Sequence, residues 1–242
     1  MISHFFERGR GKAGIATIDI MIRNSEYNPI SHKKIARIKK EYGMITTIRR
    51  RNPYKNLPTS EHTDVPNVVN RIFATPLPDQ IYSTDMTYLF YGKGEKAYLS
   101  ATKDLGTNEI VSYKLMRTPT IGYFREEFKR LLDQLPEETR NSLIIHSDQG
   151  FQYTHKVFRE LLRNYGVTQS MSRRGNCIDN APIECFFGHL KDNLNLKNCD
   201  SFNNVEKEVS RIMDYYNNER PQKALNKKPP AIYRGLIENC FK

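Results

Sequence analysis

The sequence predicts an α/β protein in which a mixed five-stranded sheet with flanking helices follows a small helical domain. Three strand-like segments joined by short glycine-containing turns predict an antiparallel meander. Helices that then alternate with two more strand-like segments predict a mixed sheet covered on both faces. A proline-rich stretch between residues 53 and 78, without a sustained hydrophobic period, separates this sheet from the front of the chain.

The front of the chain, residues 1–51, is predicted to form a basic helix-turn-helix-like region that contacts DNA phosphates. Apolar residues recur at helical spacing over residues 14–24, and a second helix over residues 31–43 begins at Ser31, a good cap. The basic side chains expected to contact DNA are Lys33, Arg37 and Lys40 on the second helix and Arg49, Arg50 and Arg51 after it. The alternative is a helical hairpin whose basic face is merely solvated.

Residues 52–79 are predicted to be a linker, and residues 80–200 the main domain. Three strands are expected over residues 81–91, 96–104 and 109–116. An amphipathic helix follows, then a strand ending in HSD, a second helix and a strand VTQSMS. The apolar residues expected to face inward are Phe124, Phe128, Leu131 and Leu132 on the first helix and Val157, Phe158, Leu161, Leu162 and Tyr165 on the second. This order of elements is that of ribonuclease H-like folds.

The next helix carries an acidic residue, Glu184, at the edge of an apolar stripe. The stripe consists of Ile183, Phe186, Phe187, Leu190 and Leu194. Asn180 can cap this helix and Pro182 is tolerated in its first turn, while Lys191 shares the face of Glu184. Residues 201–242 are predicted to form a C-terminal helix and a tail that packs on the core, with Tyr215, Tyr216 and Tyr233 as anchors.

Composition favours a polyanionic partner. The 242 residues carry a formal net charge of +11, the sequence pI is about 9.4, and mean hydropathy is -0.67. No stretch resembles a secretory signal or a membrane span, so we expect a cytoplasmic protein associated with the nucleoid. The cysteines and histidines lack the paired spacing of zinc ligands, which disfavours a zinc site.

Three acids occupy distinctive places: Asp85 in the first strand, Asp148 at the end of the fourth, and Glu184 on the helix after the fifth. A sheet that pairs the first and fourth strands would bring the two aspartates together. Their mutual repulsion is tolerable when divalent cations lie among them, and oxygen ligands favour Mg²⁺ or Mn²⁺. Two such ions can drive displacement at phosphorus, so the pattern indicates metal-dependent phosphodiester chemistry.

The segments STDMTY, HSDQG and RRGNCIDNAPIECFFGHLK surround these acids in order, and together with HKKIARIKKEYG, RRRNPYK and YYNNERPQKAL they cover nearly the whole chain. The ordered set resembles the DDE integrase core of bacterial insertion-sequence transposases of the OrfB type, within the retroviral-integrase superfamily. The resemblance implies that Asp85, Asp148 and Glu184 bind two metal ions, and that Lys191 contacts DNA near them. It also implies cleavage at transposon ends, transfer of the 3′-hydroxyl to a second phosphodiester and assembly as a homo-oligomer on double-stranded DNA.

The sequence departs from its relatives in two ways. It contains no Trp, and Ile81-Tyr82-Ser83 stands before Thr84-Asp85 where relatives often carry one. Relatives also commonly act as a frameshift fusion with an upstream OrfA-type product, which would be a further partner. Two rival functions stay open: a ribonuclease H-like metal-dependent nuclease, and a non-enzymatic DNA-binding protein derived from a transposase.

Several polar residues near the acids have two interpretations each. Asp179 and Asn180 are expected to cap the Glu184 helix rather than to assist the metals. Arg173 and Arg174, in the loop before that helix, either hold the DNA strand or are solvated.

Four further positions have expected roles of their own. Asp104 is predicted to be a turn residue. His146 and His155 are expected to pack or to contact phosphate, and Gly150 to permit close approach of the substrate.

Overall fold

A computed structural model describes residues 1–46, 65–75, 77–173 and 176–240 of the chain. The predicted DNA contacts Arg49, Arg50, Arg51 and Arg174 lie outside the described residues. The chain divides into two compact units. One comprises Met1–Pro53 with Asp214–Tyr233, and the other comprises Tyr54–Met213 with Arg234–Lys242.

Among its described residues, the first unit begins with three short helices. They are α1 (Ile2–Arg8), α2 (Ile15–Arg23) and α3 (His32–Glu41). Ile18, Ile22 and Ile35 are fully buried between them, because the apolar spacing of α2 and α3 puts these side chains on facing sides. The Ser31 hydroxyl accepts the Lys34 N–H, so Ser31 caps α3 as predicted. The sequence pattern did not indicate α1.

The tail of the chain differs from its predicted assignment to the core. Residues Asp214–Tyr233 belong to the first unit, and Tyr215 packs against the apolar cluster formed by α1, α2 and α3. Tyr215 therefore anchors the tail to the helical unit instead of the sheet.

The second unit is built on a five-stranded sheet in the order β3-β2-β1-β4-β5. The strands are β1 (Ile81–Tyr91), β2 (Glu95–Asp104), β3 (Ile110–Met116), β4 (Ile144–Ser147) and β5 (Thr168–Met171). The first three form an antiparallel meander, and β4 and β5 are added in parallel next to β1. The predicted mixed sheet is confirmed.

Seven further α-helices follow in the described part of the chain. They are α4 (Ile121–Asp133), α5 (Glu137–Ser142), α6 (Phe151–Thr154), α7 (Lys156–Asn164), α8 (Ala181–Asn193), α9 (Phe202–Asp214) and α10 (Pro230–Cys240). Phe128 of α4 and Phe158 of α7 meet edge to face at 4.8 Å between ring centroids, in the core under the sheet. The inward residues predicted on these helices are buried, except that Val157 and Tyr165 are half-buried.

Part of the predicted linker packs on the sheet. The Val68 N–H donates to the Ser170 hydroxyl of β5 at 2.9 Å, and Val69 is buried against Ile81 and Leu105. Residues 65–75 are therefore held to the second unit by backbone hydrogen bonds and apolar burial, and they are not a free connector there.

Arg234 ties α10 to the end of the sheet. Its guanidinium forms ion pairs with Asp79, Asp104 and Glu109. Asp104 also accepts hydrogen bonds from the Gly106 N–H and from the Thr107 hydroxyl, which confirms its predicted turn role. Among the described residues, no helix is both long and apolar enough to cross a bilayer.

Candidate active site

The sheet brings the two predicted aspartates together. Strand β4 pairs with β1 only at Ile81–Ser83, so β1 continues past the end of β4 without β4 as a partner on that side. Asp85 lies on β1 two residues beyond this pairing, and Asp148 is the first residue after β4. Because β1 and β4 are parallel, both carboxylates lie just beyond the point where the pairing of these two strands ends.

Helix α8 is placed across this edge by its buried face and by a polar contact at its start. Ile183, Phe186, Phe187 and Leu190 are buried. The Asn180 amide accepts the Ser83 hydroxyl at 2.7 Å and donates to the Thr84 carbonyl at 3.2 Å. This fixes the first turn of α8, which carries Glu184, beside the β1 residues that precede Asp85.

The predicted cap role of Asn180 is wrong as far as its side chain is concerned. No side-chain hydrogen bond from Asn180 caps α8. The amide instead contacts Ser83 and the Thr84 backbone, which a short-range capping rule does not anticipate because these partners lie 96 and 97 residues away in sequence.

The electrostatics of Asp85 show that the three acids share one neighbourhood. Burial raises the pKa of Asp85 well above its usual range, and the nearby carboxylates of Asp148 and Glu184 raise it further. The Met86 N–H, which donates to Asp85 at 2.7 Å, and the Lys191 ammonium partly oppose that rise in the Asp85 pKa. Four charged side chains from β1, α8 and the end of β4 therefore interact at one place.

Asp148 is held by the turn that follows β4. The Gly150 N–H donates to its carboxylate at 2.9 Å, while burial raises the Asp148 pKa. A Cβ atom on Gly150 would lie 2.9 Å from the same carboxylate oxygen. A side chain at this position would therefore crowd the Asp148 carboxylate, whereas the predicted role of Gly150 in substrate approach stays a prediction.

Among the described residues, no three His, Cys, Asp or Glu side chains are close enough together to bind one metal ion as a set. The donors nevertheless suit a hard divalent cation, since Asp85, Asp148 and Glu184 offer only carboxylate oxygens. Their mutual repulsion, seen in the raised pKa of Asp85, is also what a cation would relieve.

Lys191 lies at the C-terminal end of α8, in contact with the same site. Its Nζ atom is 5.2 Å from the centroid of the Tyr88 ring, and its charge reaches Asp85. The structure thus brings the predicted DNA contact Lys191 beside the three acids. That it binds DNA stays a prediction.

Asp179 is neither a helix cap nor a member of the carboxylate group. Its fully buried carboxylate pairs with Arg71 at 2.6 Å and with Arg173 at 2.9 Å. Hydrogen bonds from Arg173 are the largest cause of its pKa being held well below the usual range. Both sequence interpretations of Asp179 are therefore wrong, and part of the Arg173 guanidinium is used inside the protein.

The two histidines have structural roles. His146 is buried, with one ring nitrogen 2.9 Å from the Ser170 hydroxyl and the other 2.9 Å from the Asp179 carbonyl. Burial lowers the His146 pKa, and the ring packs inside the second unit, which is one of its two predicted roles. His155 accepts the Val157 N–H and caps α7.

Two residues next to the site were missed from the sequence. Tyr153 is completely buried, and its hydroxyl lies 3.2 Å from the Thr84 hydroxyl directly before Asp85. Arg71 pairs with Asp179 from within the predicted linker. Neither position carries a local pattern that would have indicated it.

In the helical unit, the predicted basic stripe is present on α3. Lys33, Arg37 and Lys40 are exposed. The neighbouring Lys39 is buried instead, with its ammonium on the Ala13 carbonyl and 3.9 Å from the Phe6 ring centroid. The stripe is therefore available to a partner, and DNA as that partner stays a prediction.

Comparisons with known proteins agree with this geometry. Two models of the integrase core domain match the chain, over residues 76–177 and 165–230. The chain is 32% identical over 238 residues to InsK of insertion sequence element IS150 from Escherichia coli strain K12, covering 97% of this chain and 81% of that protein. It is 35% identical over 207 residues to a transposase-like protein of Haemophilus influenzae, covering 85% of this chain and 93% of that protein.

Solved structures show the same fold at low sequence identity. The catalytic core domain of HTLV-2 integrase in complex with magnesium superposes with a TM-score of 0.51 at 18% identity, covering 65% of this chain and 97% of that one. The catalytic core domain of BIV integrase gives a TM-score of 0.51 at 17% identity, covering 68% and 99%. These likenesses show the fold of the matched part of the chain.

Proposed function

This chain belongs to the insertion-sequence transposases with an integrase core domain, and we propose that Asp85, Asp148 and Glu184 are the acids with which it works. As a member of that family it is a polynucleotidyl transferase: it cuts DNA at transposon ends and joins the freed 3′-hydroxyl to a second phosphodiester.

The observation that carries the assignment is the placement of Asp85 on β1, Asp148 directly after β4 and Glu184 in the first turn of α8 at one edge of the sheet. The raised pKa of Asp85 agrees with this placement, since burial and the charges of Asp148 and Glu184 raise it while Lys191 opposes the rise. Three acids and a cation meeting at one edge of a sheet form a typical site for phosphoryl transfer, where metal ions offset the acids and a lysine holds a phosphate.

Mg²⁺ or Mn²⁺ is the cofactor that this donor set fits. The ligands would be Asp85, Asp148 and Glu184, and two bound ions would activate the attacking oxygen and stabilise the leaving oxygen. The solved HTLV-2 integrase core is itself a magnesium complex.

The remaining residues position these acids. The Asn180 amide fixes the first turn of α8, and with it Glu184, against the residues before Asp85. The Gly150 N–H orients Asp148. Lys191 then lies where it can hold a phosphate of the strand being cut.

Partners of the chain are proposed from the same chemistry. Double-stranded DNA is the substrate, and the exposed stripe of Lys33, Arg37 and Lys40 would bind its phosphates. Because two transposon ends must be cut and joined, we expect a homo-oligomer on DNA. An OrfA-type partner or fusion, and a cytoplasmic, nucleoid-associated location, stay predictions.

The proposal is tested with labelled double-stranded DNA that carries a terminal sequence of the element. In Mg²⁺ the parent protein should release a 3′-hydroxyl and then yield longer, joined strands. Asp85→Asn, Asp148→Asn and Glu184→Gln should each abolish both products while retaining DNA affinity.

Glu206→Gln, an exposed glutamate on α9, is the matched control and should act like the parent. Cleavage without joining by the parent would support the nuclease alternative. A Glu184→Gln protein as active as the Glu206→Gln protein would show that the assignment of the acids is wrong.

A further inference from the structure

Two large aromatic side chains are exposed close to the candidate active site. Tyr88 is 52% exposed and Phe90 is 54% exposed, and their ring centroids lie 5.3 Å apart. Side chains two apart on a strand share a face, so both rings project from the same side of β1. Single exposed aromatics are common on protein surfaces, whereas a contacting pair on one strand forms a defined apolar patch.

Lysines flank this pair from two directions. Lys96 of β2 is the register partner of Phe90, and its ammonium lies 5.6 Å from the Phe90 centroid and 5.5 Å from the Tyr88 centroid. Lys191 reaches the Tyr88 ring from α8, at 5.2 Å. The patch thus combines two aromatic rings with two cations. Proteins that bind single-stranded nucleic acid use aromatic rings to stack on bases and cations to contact phosphates.

Lys191 connects this patch to the site of reaction. Tyr88 lies three residues beyond Asp85 on β1, about 10 Å along the strand, so alternation puts its side chain on the other face of β1 from Asp85. The Lys191 ammonium contacts the Tyr88 ring, and its charge opposes the rise in the pKa of Asp85. Because β4 stops pairing at Ser83, the edge of β1 between Asp85 and the rings is not covered by that strand. A DNA strand whose phosphate lies at Asp85 would reach the rings within a few nucleotides by passing around this edge of β1, beside Lys191.

We propose that Tyr88 and Phe90, flanked by Lys96 and Lys191, form a stacking surface for one or two unpaired bases of the DNA strand next to the phosphate being attacked. The inference rests on the proposed function and deepens it. Stacking on an aromatic ring is open to any base, but only when the base has left its own duplex stack. The surface therefore favours a frayed or single-stranded end over a fully paired one.

Binding of the full chain to two probes tests this inference without catalysis. One probe is a single-stranded oligonucleotide of about 15 thymidines, and the other is a duplex of the same length. The double variant Tyr88→Leu/Phe90→Leu should bind the thymidine strand about 5-fold to 100-fold more weakly, with duplex affinity changed by less than about 2-fold. Tyr88→Phe, which retains a ring, should keep most of the single-strand affinity.

Tyr123→Leu is the matched control, because Tyr123 is another exposed tyrosine, on α4. It should bind both probes like the parent. Forked DNA with 2-aminopurine at the unpaired position reports stacking directly: the parent should quench its fluorescence, and the double variant should not. Thermal melts of the double variant verify that it is folded.

Equal single-strand affinity and equal quenching in the double variant and in Tyr123→Leu would overturn the inference. An equal loss of affinity for both probes would overturn it too. Removing a stacking surface cannot weaken binding to a fully paired duplex as strongly as binding to a single strand. If the double variant binds normally but changes its sedimentation, the patch is a protein contact and the inference fails. The proposed function is read separately, from cleavage and joining by the parent in Mg²⁺, so the two can fail independently.

Discussion

Replacing Glu127 with glutamine should make the protein more stable, and more so as the pH rises. Glu127 lies on α4, is 6% exposed, and accepts a hydrogen bond from the Ser112 hydroxyl at 3.2 Å. Burial raises its pKa from 4.5 to about 7, although hydrogen bonds and the cations of Lys114 and Arg130 oppose the rise. The folded protein thus holds this proton more tightly than the unfolded chain does.

The sign and the size of the effect follow from proton linkage. Between pH 4.5 and about 7 the unfolded chain has released the Glu127 proton and the folded chain has not, so stability falls as pH rises. At about 1.4 kcal/mol per pH unit, the loss approaches about 3 kcal/mol above pH 7. Glu127→Gln removes this loss of stability, so the melting temperature of the variant should be higher than that of the parent by about 6–12 °C at pH 8.

Urea unfolding of parent and variant from pH 5 to pH 8 measures this effect. The two curves should converge near pH 5 and separate progressively toward pH 8. Glu126→Gln is the control, since Glu126 is the exposed neighbour on the same helix. Identical pH profiles for the Glu126 and Glu127 variants would refute the argument from burial.

Two further predictions concern other parts of the molecule. Asp179→Asn should cost about 2–3 kcal/mol in urea unfolding at pH 7, because it leaves the guanidinium groups of Arg71 and Arg173 without their buried partner. Because the Asp179 pKa is lowered in the folded protein, its ion pairs stabilise the fold above pH 3.8, and this stabilisation is lost as the pH falls below that value. The free energies of unfolding of parent and variant should therefore converge in acid. Replacing Lys33, Arg37 and Lys40 together with glutamine should lower the slope of log affinity for duplex DNA against log salt by up to about 3. An unchanged slope would show that the stripe on α3 is only solvated.

The strands and the meeting of the acids were predictable because they depend on local patterns. Strand-like segments bounded by glycine-containing turns mark β1 to β3, and the parallel pairing of β1 with β4 then brings Asp85 and Asp148 to one edge. The apolar stripe of α8 likewise indicates which face is buried and leaves Glu184 at its edge.

The interactions that orient the acids were not predictable in this way. Arg71 pairs with Asp179 across 108 residues of sequence, from a stretch with no hydrophobic period. Asn180 has the residue type and position of a helix cap, yet a long-range contact with Ser83 takes its amide. Local rules name the residues that can hydrogen-bond, but the tertiary structure selects their partners.

The tail shows the same limit at the level of domains. The sequence predicts that residues 201–242 form a helix and a tail that pack on the core. The structure instead assigns Asp214–Tyr233 to the helical unit, where Tyr215 meets an apolar cluster more than 170 residues earlier in the chain. Nothing in the tail itself specifies that partner.

The central claim is that Asp85, Asp148 and Glu184 form one cation site, and thermal melts with and without Mn²⁺ test it most directly. A site saturated at a hundred times its dissociation constant should stabilise the parent by about 2.7 kcal/mol, or roughly 5–11 °C in melting temperature. Asp85→Asn and Glu184→Gln should lose most of that shift, while Glu206→Gln retains it. Equal Mn²⁺-induced shifts in all four proteins would contradict the claim.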